Sequence, residues 1–586
     1  MKPLFRLLPY LARYRRTVVL GILTVVASNL FTVGQPLVVG RAIDTLKTGL
    51  ETRSLAGGDL LLYALLVVGL SLVAGVFTFL TRQTIIVMSR KIEFDLRNDF
   101  LAHLQRLPLS FYQNTPTGDL MAHATNDIGA VRNTLGPGVM YPTDTLMTFT
   151  MVLAIMFTTD WQLTLLALVP MPFVSFAVYR LGKLVHRKFE ERQAKYSELT
   201  TRAQENLSGI RVVRAYVREG FEILRFRTLS REYLEKNLVL ARVQSIMWPL
   251  MFMLVGFSLV ITLYVGGLKV IEGRMTIGTL TAFFGYLVML IWPMIAFGWV
   301  INLLQQGAAS MGRLAKIFDT VPEIADGPGT DTAITTLRGD IEFRDVTFTH
   351  AGAHRPTLSG VNLRIPSGTS LAIVGYTGSG KSTMVNLIPR LYDVTSGAVL
   401  IDGRDVRTIP LAVLRHHIGC VPQETFLFSQ TLAQNIAYGR DSVAHDEMLE
   451  SAHISRIARD VEEFPSGYET MLGERGITLS GGQKQRTSLA RALMRKPSIL
   501  ILDDALSAVD TVTEEEILSG LRVVMKERTS ILISHRISTV KDADQIVVLH
   551  DGTIAERGNH EELVEHGGIY ADLFRKQQLE EELEHL

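Results

Sequence analysis

Six apolar runs, each about the 20 residues a helix needs to cross a bilayer, fall within the first 305 residues, and none follows them. They are Val18–Val39, Leu60–Leu80, Val139–Thr158, Leu163–Leu181, Met247–Val270 and Gly278–Leu303. Buried helices of a soluble protein do not cluster in this way, so the pattern predicts a membrane-spanning half joined to a water-soluble half. Apolar residues make up an ordinary 47% of the chain, yet the mean hydropathy is +0.23. With 59 basic against 58 acidic residues, the chain lacks the basic excess of a nucleic-acid binder. A single cysteine, Cys420, excludes an intramolecular disulfide and any cysteine-based metal site. Its place at the end of the apolar run Ile418–Val421 predicts a packed core thiol.

Lys2, Arg6, Arg13, Arg15 and Arg16 precede the first run, which is too long for a signal-peptide core and has no small-residue cleavage site behind it. Residues 1–16 mix leucine and aromatics with arginine and suit an elbow helix lying in the membrane interface. The six-span domain occupies 17–304. Runs three and four are joined by Thr159–Gln162 alone, whereas long helical connectors separate runs two and three and runs four and five. The second connector carries Arg180, Lys183, Arg187, Lys188, Arg192 and Lys195, a bias that puts it in the cytoplasm. An even number of spans then leaves both ends of the chain there. Pro116 and Gly118 near 110–120, and Gly209 at the start of 209–217, break the helical pattern at the connector tips.

A linker is expected over 305–339, where Val321-Pro322-Glu323 and Asp326-Gly327-Pro328-Gly329 lie. From 340 to 577 short apolar strands alternate with helices: Ile341–Phe348, Ser370–Val374, Gly419–Val421, Ser498–Leu502, Thr529–Ile533 and Gln545–Leu549. That alternation predicts an α/β domain with a largely parallel core sheet. The charged residues 578–586 read as a frayed helical tail.

Within this soluble half, Gly375–Ser382 fits G-x-x-x-x-G-K-S between a strand and a helix, the setting of a phosphate-binding loop. Gly375, Gly378 and Gly380 let backbone N–H groups curl around phosphate oxygens. Lys381 brings charge to the outer phosphates, Ser382 offers a hydroxyl to Mg²⁺, and Thr383 is expected among the ATP-binding residues. The strand Ser498–Leu502 ends in Asp503-Asp504, where a metal-bound nucleotide needs a carboxylate; Asp503 takes that role.

Leu479, Ser480, Gly481, Gly482 and Gln483 read LSGGQ and resemble the signature of ATP-binding cassette (ABC) ATPases. The resemblance spans the chain and implies a half-size ABC exporter of the type IV fold. It has an α-helical six-span membrane domain with long cytoplasmic hairpins and a C-terminal α/β P-loop nucleotide-binding domain. It implies ATP and Mg²⁺ as cofactors, and connector tips that act as coupling helices. It also implies a signature that closes over the ATP of a second half-transporter. By the same resemblance Gln423 touches Mg²⁺, His535 contacts the γ-phosphate, Asp510 lies in the loop crossing the dimer interface, and Glu474 faces the coupling helices. Two positions depart from the family. Asp504 stands where a water-activating glutamate is usual, and His350 stands where a tyrosine usually stacks on adenine.

An intact signature beside a shortened catalytic carboxylate implies a heterodimer, as in bacterial heterodimeric multidrug exporters and the peptide transporter of antigen processing. The expected partners are a half-transporter bearing the glutamate, the lipid bilayer and an amphipathic solute: drug, peptide or lipid. The rival readings are a homodimeric lipid flippase and a non-transporting ATPase whose membrane domain is a channel or regulatory anchor. The expected place is the plasma (inner) membrane, with the nucleotide-binding domain in the cytoplasm. Asp144 is the clearest charge inside the spans, read either as a functional carboxylate or as a helix cap behind Pro142. Gln35, Trp292, Trp299 and Asn302 are candidates for lining a cavity or for helix packing.

Overall fold

The computed structural model describes residues 2–52, 57–440 and 443–584. The chain forms two compact units, one of Met1–Leu101 with Gly118–Asp319 and one of Ala102–Thr117 with Thr320–Leu586.

The first unit is helical. Among the described residues, four helices are long and apolar enough to cross a membrane: Arg15–Thr52, Gly58–Leu104, Thr117–Thr159 and Ile277–Phe318. Two shorter apolar helices, Trp161–Phe173 and Val255–Ile271, overlap the fourth and fifth expected runs. The fourth run is interrupted at Val169–Pro170, between the helices Trp161–Leu168 and Met171–Ser208, because proline supplies no N–H and crowds the preceding turn. The helix Glu219–Ile271 is 53 residues long, which at a rise of about 1.5 Å per residue spans about 80 Å, far more than a bilayer. Single π-helical turns at Arg82–Ile86 and His123–Asp127 interrupt the helices on either side of the first connector tip.

The expected linker starts later than Gln305. The helix Ile291–Phe318 runs on because Met311, Leu314 and Ile317 recur at helical spacing and are buried. Arg313 also pairs with Asp127 there. The amino-terminal segment is a 3₁₀ turn, Lys2–Leu7, followed by a short helix, Leu8–Arg13. It is tied down by Arg6 to Asp319 at 2.7 Å and Arg13 to Asp95 at 2.8 Å.

Among the described residues the second unit carries ten strands: β1 (Ile341–Phe348), β2 (Leu358–Ile365), β3 (Ser370–Val374), β4 (Ser396–Ile401), β5 (Arg404–Asp405), β6 (Ile418–Val421), β7 (Ile499–Asp503), β8 (Thr529–Ile533), β9 (Gln545–His550) and β10 (Thr553–Gly558). One sheet runs β10-β9-β3-β8-β7-β6, parallel except for β10. The second sheet, β2-β1-β4-β5, is antiparallel. A core built from Phe343, Leu363, Ile373, Ile501 and their neighbours lies between the sheets. Strands β3, β7 and β8 are buried on both faces, as continuous apolar runs require. Cys420 is not sealed in the core: it is the one exposed residue of the edge strand β6, although the atoms crowded around its thiol push its pKa up to about 12.

The short helix Leu109–Asn114 belongs to this second unit. Tyr112 donates to the Leu104 carbonyl at 2.6 Å, and Gln113 Nε2 donates to the Tyr392 hydroxyl at 2.8 Å. The tip of the other connector, Ile210–Ala215, is also a short helix, in the first unit.

Candidate nucleotide site

A cavity of about 250 Å³ opens at the carboxyl ends of β3, β7 and β8, where parallel α/β sheets place their ligands. Its lining brings together Gly378, Gly380, Lys381, Ser382 and Thr383 from the glycine loop with Gln423, Asp503, Asp504 and His535. These residues are dispersed over more than a hundred positions of sequence, and the sheet register gathers them. Asp503 pairs with Ile533 across β7 and β8, so His535 follows two residues beyond the strand that flanks the carboxylates.

The loop owes its shape to glycine. Gly375 has φ +146°, and a Cβ there would lie 2.2 Å from the Leu549 carbonyl oxygen. Gly380 has φ +101°, and its Cβ would meet the Thr357 carbonyl oxygen at 2.9 Å. No other residue fits both positions without moving β9 or the turn into β2. Lys381 opens the helix Lys381–Leu387 and is buried. Its Nζ donates to the carbonyls of Gly375 and Tyr376 at 2.8 and 3.0 Å. Burial lowers the Lys381 pKa, while Asp503 and Asp504 oppose the shift.

Burial pushes the Asp503 carboxyl up; Ser382 counters with a hydrogen bond, Asp504 adds to the rise, and Lys381 and His535 oppose it. The Ser379 hydroxyl is buried without a partner. A narrow glycine cradle, an inward lysine and an orphan hydroxyl fit phosphate oxygens. The hydroxyl of Ser382 with the carboxylate of Asp503 is an all-oxygen donor set that fits Mg²⁺.

Asp504 sits in a left-handed conformation, φ +50°. Its N–H donates to the Ile533 carbonyl at 2.9 Å. Its carbonyl accepts from Ser507 Oγ at 3.0 Å and from Gln485 Nε2 at 3.3 Å. Gln485 was not singled out by the sequence motifs. It is buried, and besides Asp504 it donates to Ser507 Oγ at 2.9 Å and accepts from the Ala508 N–H at 2.9 Å. Its signal was weak: a glutamine two residues past LSGGQ has no chemistry of its own. Glu514 was also missed. This buried carboxylate pairs with Arg536 and accepts from Thr539 Oγ1, bracing the residue after His535.

His350 is outside the lining but adjacent to it, its Nε2 3.5 Å from Thr383 Oγ1. Phe348 and Tyr392 meet its ring edge-on at 4.8 and 5.5 Å. Among the described residues that line the cavity, none comes from Leu479–Gln483. Ser480 instead caps the helix Gly481–Met494 in a reciprocal pair with Gln483, and Leu479 is buried. Gly482 lies close against the loop after Asp504, where a Cβ would be 2.9 Å from the Ala508 carbonyl oxygen. Asp510 caps the helix Thr511–Met525, accepting from the Thr513 N–H at 2.9 Å.

Residues 18–294 match the family model described as ABC transporter transmembrane region, and residues 358–507 match the one described as ABC transporter. The chain is 37% identical over 571 residues to the probable multidrug resistance ABC transporter ATP-binding/permease protein YheI of Bacillus subtilis, covering 97% of this chain and 96% of that protein. It is 38% identical to an ATP-dependent lipid A-core flippase of Syntrophus aciditrophicus, over 84% of this chain and 81% of the flippase. A solved bacterial Atm1-family ABC exporter with ATP bound superposes with a TM-score of 0.79 at 29% identity, over 97% of this chain and 99% of the other. A helical membrane domain fused to a nucleotide-binding α/β domain, matched over nearly its whole length, makes this chain a member of the ABC transporter family, as a half-size exporter of the inner membrane.

Proposed function

We propose that this chain is one half of an asymmetric exporter: its own site holds ATP but hydrolyses it slowly, and its LSGGQ completes the site of a different half-transporter. Asp504 carries this reading. It occupies the place of the water-activating glutamate, one methylene short, and positioning dominates phosphoryl transfer. The absence of Leu479–Gln483 from the lining of this chain's own cavity agrees with a signature that serves another chain. In this assignment Lys381 and the loop N–H groups bind the outer phosphates, and His350 lies against the base. His535 meets the γ-phosphate, and Asp510 crosses to the partner. Ser382, Asp503 and Gln423 would hold Mg²⁺, which supplies charge neutralisation at the phosphates. Residues 1–16 act as the interfacial elbow, and the short helices near 110–120 and 209–217 act as the coupling elements. The arrangement resembles the TmrAB exporter, with this chain in the place of its Asp-bearing subunit. The cargo is an amphipathic solute.

The experiment is purification of the tagged chain from its native membrane. Copurification of a second half-transporter with glutamate at the position matching Asp504 supports the reading. A homodimer with robust ATP turnover, abolished by Asp504→Ala, defeats it. A homodimeric lipid flippase is the second reading, favoured by the identity to a lipid A-core flippase. ATP-driven movement of fluorescent lipid by the chain alone would select it.

A further inference from the structure

The membrane unit contains a carboxylate that the nucleotide chemistry does not use. Asp144 lies two turns into the helix Pro137–Thr159. It is no helix cap: that helix starts at Pro137, and Asp144 accepts its hydrogen bond from the Asn29 side chain. Asn29, on the helix Arg15–Thr52, is buried and donates to Asp144 Oδ1 at 2.8 Å and to the Val25 carbonyl at 3.0 Å. The Asn29 oxygen accepts from the Thr148 hydroxyl. The amide is thus saturated and aimed, and it holds one carboxylate oxygen in place. Among the described residues Asp144 Oδ2 has no hydrogen-bond partner, and no lysine, arginine or histidine pairs with the carboxylate.

Two further observations point to what the free oxygen receives. Tyr141, Asp144, Thr145 and Thr148 recur at i, i+3, i+4 and i+7, one face of the helix. On that face the Thr145 hydroxyl is buried without a partner. One turn away, the Tyr141 ring meets Trp299 of the helix Ile291–Phe318 at 5.0 Å, edge to face, and Trp299 is 46% exposed. A free carboxylate oxygen, an unsatisfied hydroxyl and a tyrosine ring packed on Trp299 thus share one helix face within two turns. A lone carboxylate at membrane depth is costly and is retained where it meets a charge, and aromatic faces attract organic cations.

We propose that Asp144, positioned by Asn29 and Thr148 and flanked by Tyr141 and Trp299, binds the cationic group of the transported amphipathic solute. The inference rests on the exporter reading and names the chemical class of its cargo.

The test uses the full chain in lipid nanodiscs, with tetraphenylphosphonium as the cation and triphenylphosphine oxide as the neutral probe of similar bulk. Binding is read by quenching of tryptophan fluorescence. The wild type binds the cation more tightly than the neutral probe. Asp144→Asn keeps the shape and weakens the cation by about tenfold or more, as loss of one charge-assisted contact requires. It leaves the neutral probe and MgATP binding unchanged. Asp144→Glu restores part of the preference. Equal affinity for the two probes in the wild type, or unaltered cation binding by Asp144→Asn, overturns the site. Failure of the exporter reading looks different: reconstituted in sealed proteoliposomes with its partner, wild type and variant alike then move no solute on addition of ATP.

Discussion

Asp504→Glu should convert this chain's own site into a faster hydrolase. The missing methylene withdraws the carboxylate by about one C–C bond, about 1.5 Å. A backbone shift is the way a shorter side chain recovers such a distance, and here the backbone is held on both sides. The Asp504 N–H is bonded to Ile533 on β8, and its carbonyl is held by Ser507 and by buried Gln485. Its left-handed φ of +50° is already an uncommon conformation for a non-glycine residue. A misplacement of about 1 Å costs on the order of a hundredfold, about 2.7 kcal/mol of barrier. The glutamate variant, assembled as a pair of identical chains that supply each other's LSGGQ, should therefore turn over ATP about 100-fold faster than wild type. ATP affinity should be unchanged, because Lys381 and the glycine loop are untouched. The assay is phosphate release from purified chain in nanodiscs, with Asp504→Ala in parallel. Wild type as fast as Asp504→Glu, or a robust wild-type rate lost in Asp504→Ala, would refute the reasoning.

In the complex with its partner, Ser480→Ala should lower total turnover by about tenfold or more, and by more than Lys381→Ala does. Equal effects would contradict the division of labour. Ser480 is also a helix cap, so a thermal melt of the variant should show a loss of about 1 kcal/mol too small to account for the rate. Gln485→Leu should slow phosphate release by about tenfold through loss of its three neutral hydrogen bonds, with fluorescent-ATP affinity unaltered; a matching loss of affinity would make Gln485 merely structural. The Asp503 carboxyl is held above the usual carboxylate range by burial, and Mg²⁺ needs it ionised. Mg²⁺-dependent ATP binding should therefore weaken as pH falls toward that raised pKa. Asp503→Asn should bind Mg²⁺ weakly at every pH, and retention of the wild-type pH profile by this variant would count against the assignment.

The parallel strands were legible because their apolar runs are buried on both faces and need no partner to be recognised. The antiparallel strands β2, β4 and β10 were not, because their burial alternates or is confined to one end, and half-polar segments look like loops. The same logic explains Cys420: composition marks an apolar run, but whether its strand lies at an edge depends on the order of all six strands. The glycine loop and Asp503-Asp504 were legible because phosphate chemistry demands particular residue types at fixed spacing. Gln485 and Glu514 were not, since each acts only through backbone or side-chain groups brought near by folding. The linker start was misplaced because Met311, Leu314 and Ile317 continue a helical face beneath residues that look like a break in hydropathy.

Gln485 also bears on whether an intact signature and an altered Asp504 can be independent features of one chain. Ser480, Gly482 and Gln485 open the same helix, and Gly482 and Gln485 both touch the loop Asp504–Ala508. A nucleotide on another polypeptide that engages Ser480 therefore loads a helix already bonded to the carbonyl of this chain's own water-facing carboxylate. An aspartate in place of glutamate leaves that connection intact, because Gln485 bonds the Asp504 carbonyl, the Ser507 hydroxyl and the Ala508 N–H rather than the carboxylate. Under the proposed asymmetry, such a site would remain a sensor: its backbone would still register closure at a partner's ATP while its side chain no longer drove hydrolysis. That is the physical reason a degenerate site would be kept folded and nucleotide-binding, and why Gln485→Leu and Asp504→Glu should act on different steps of the cycle.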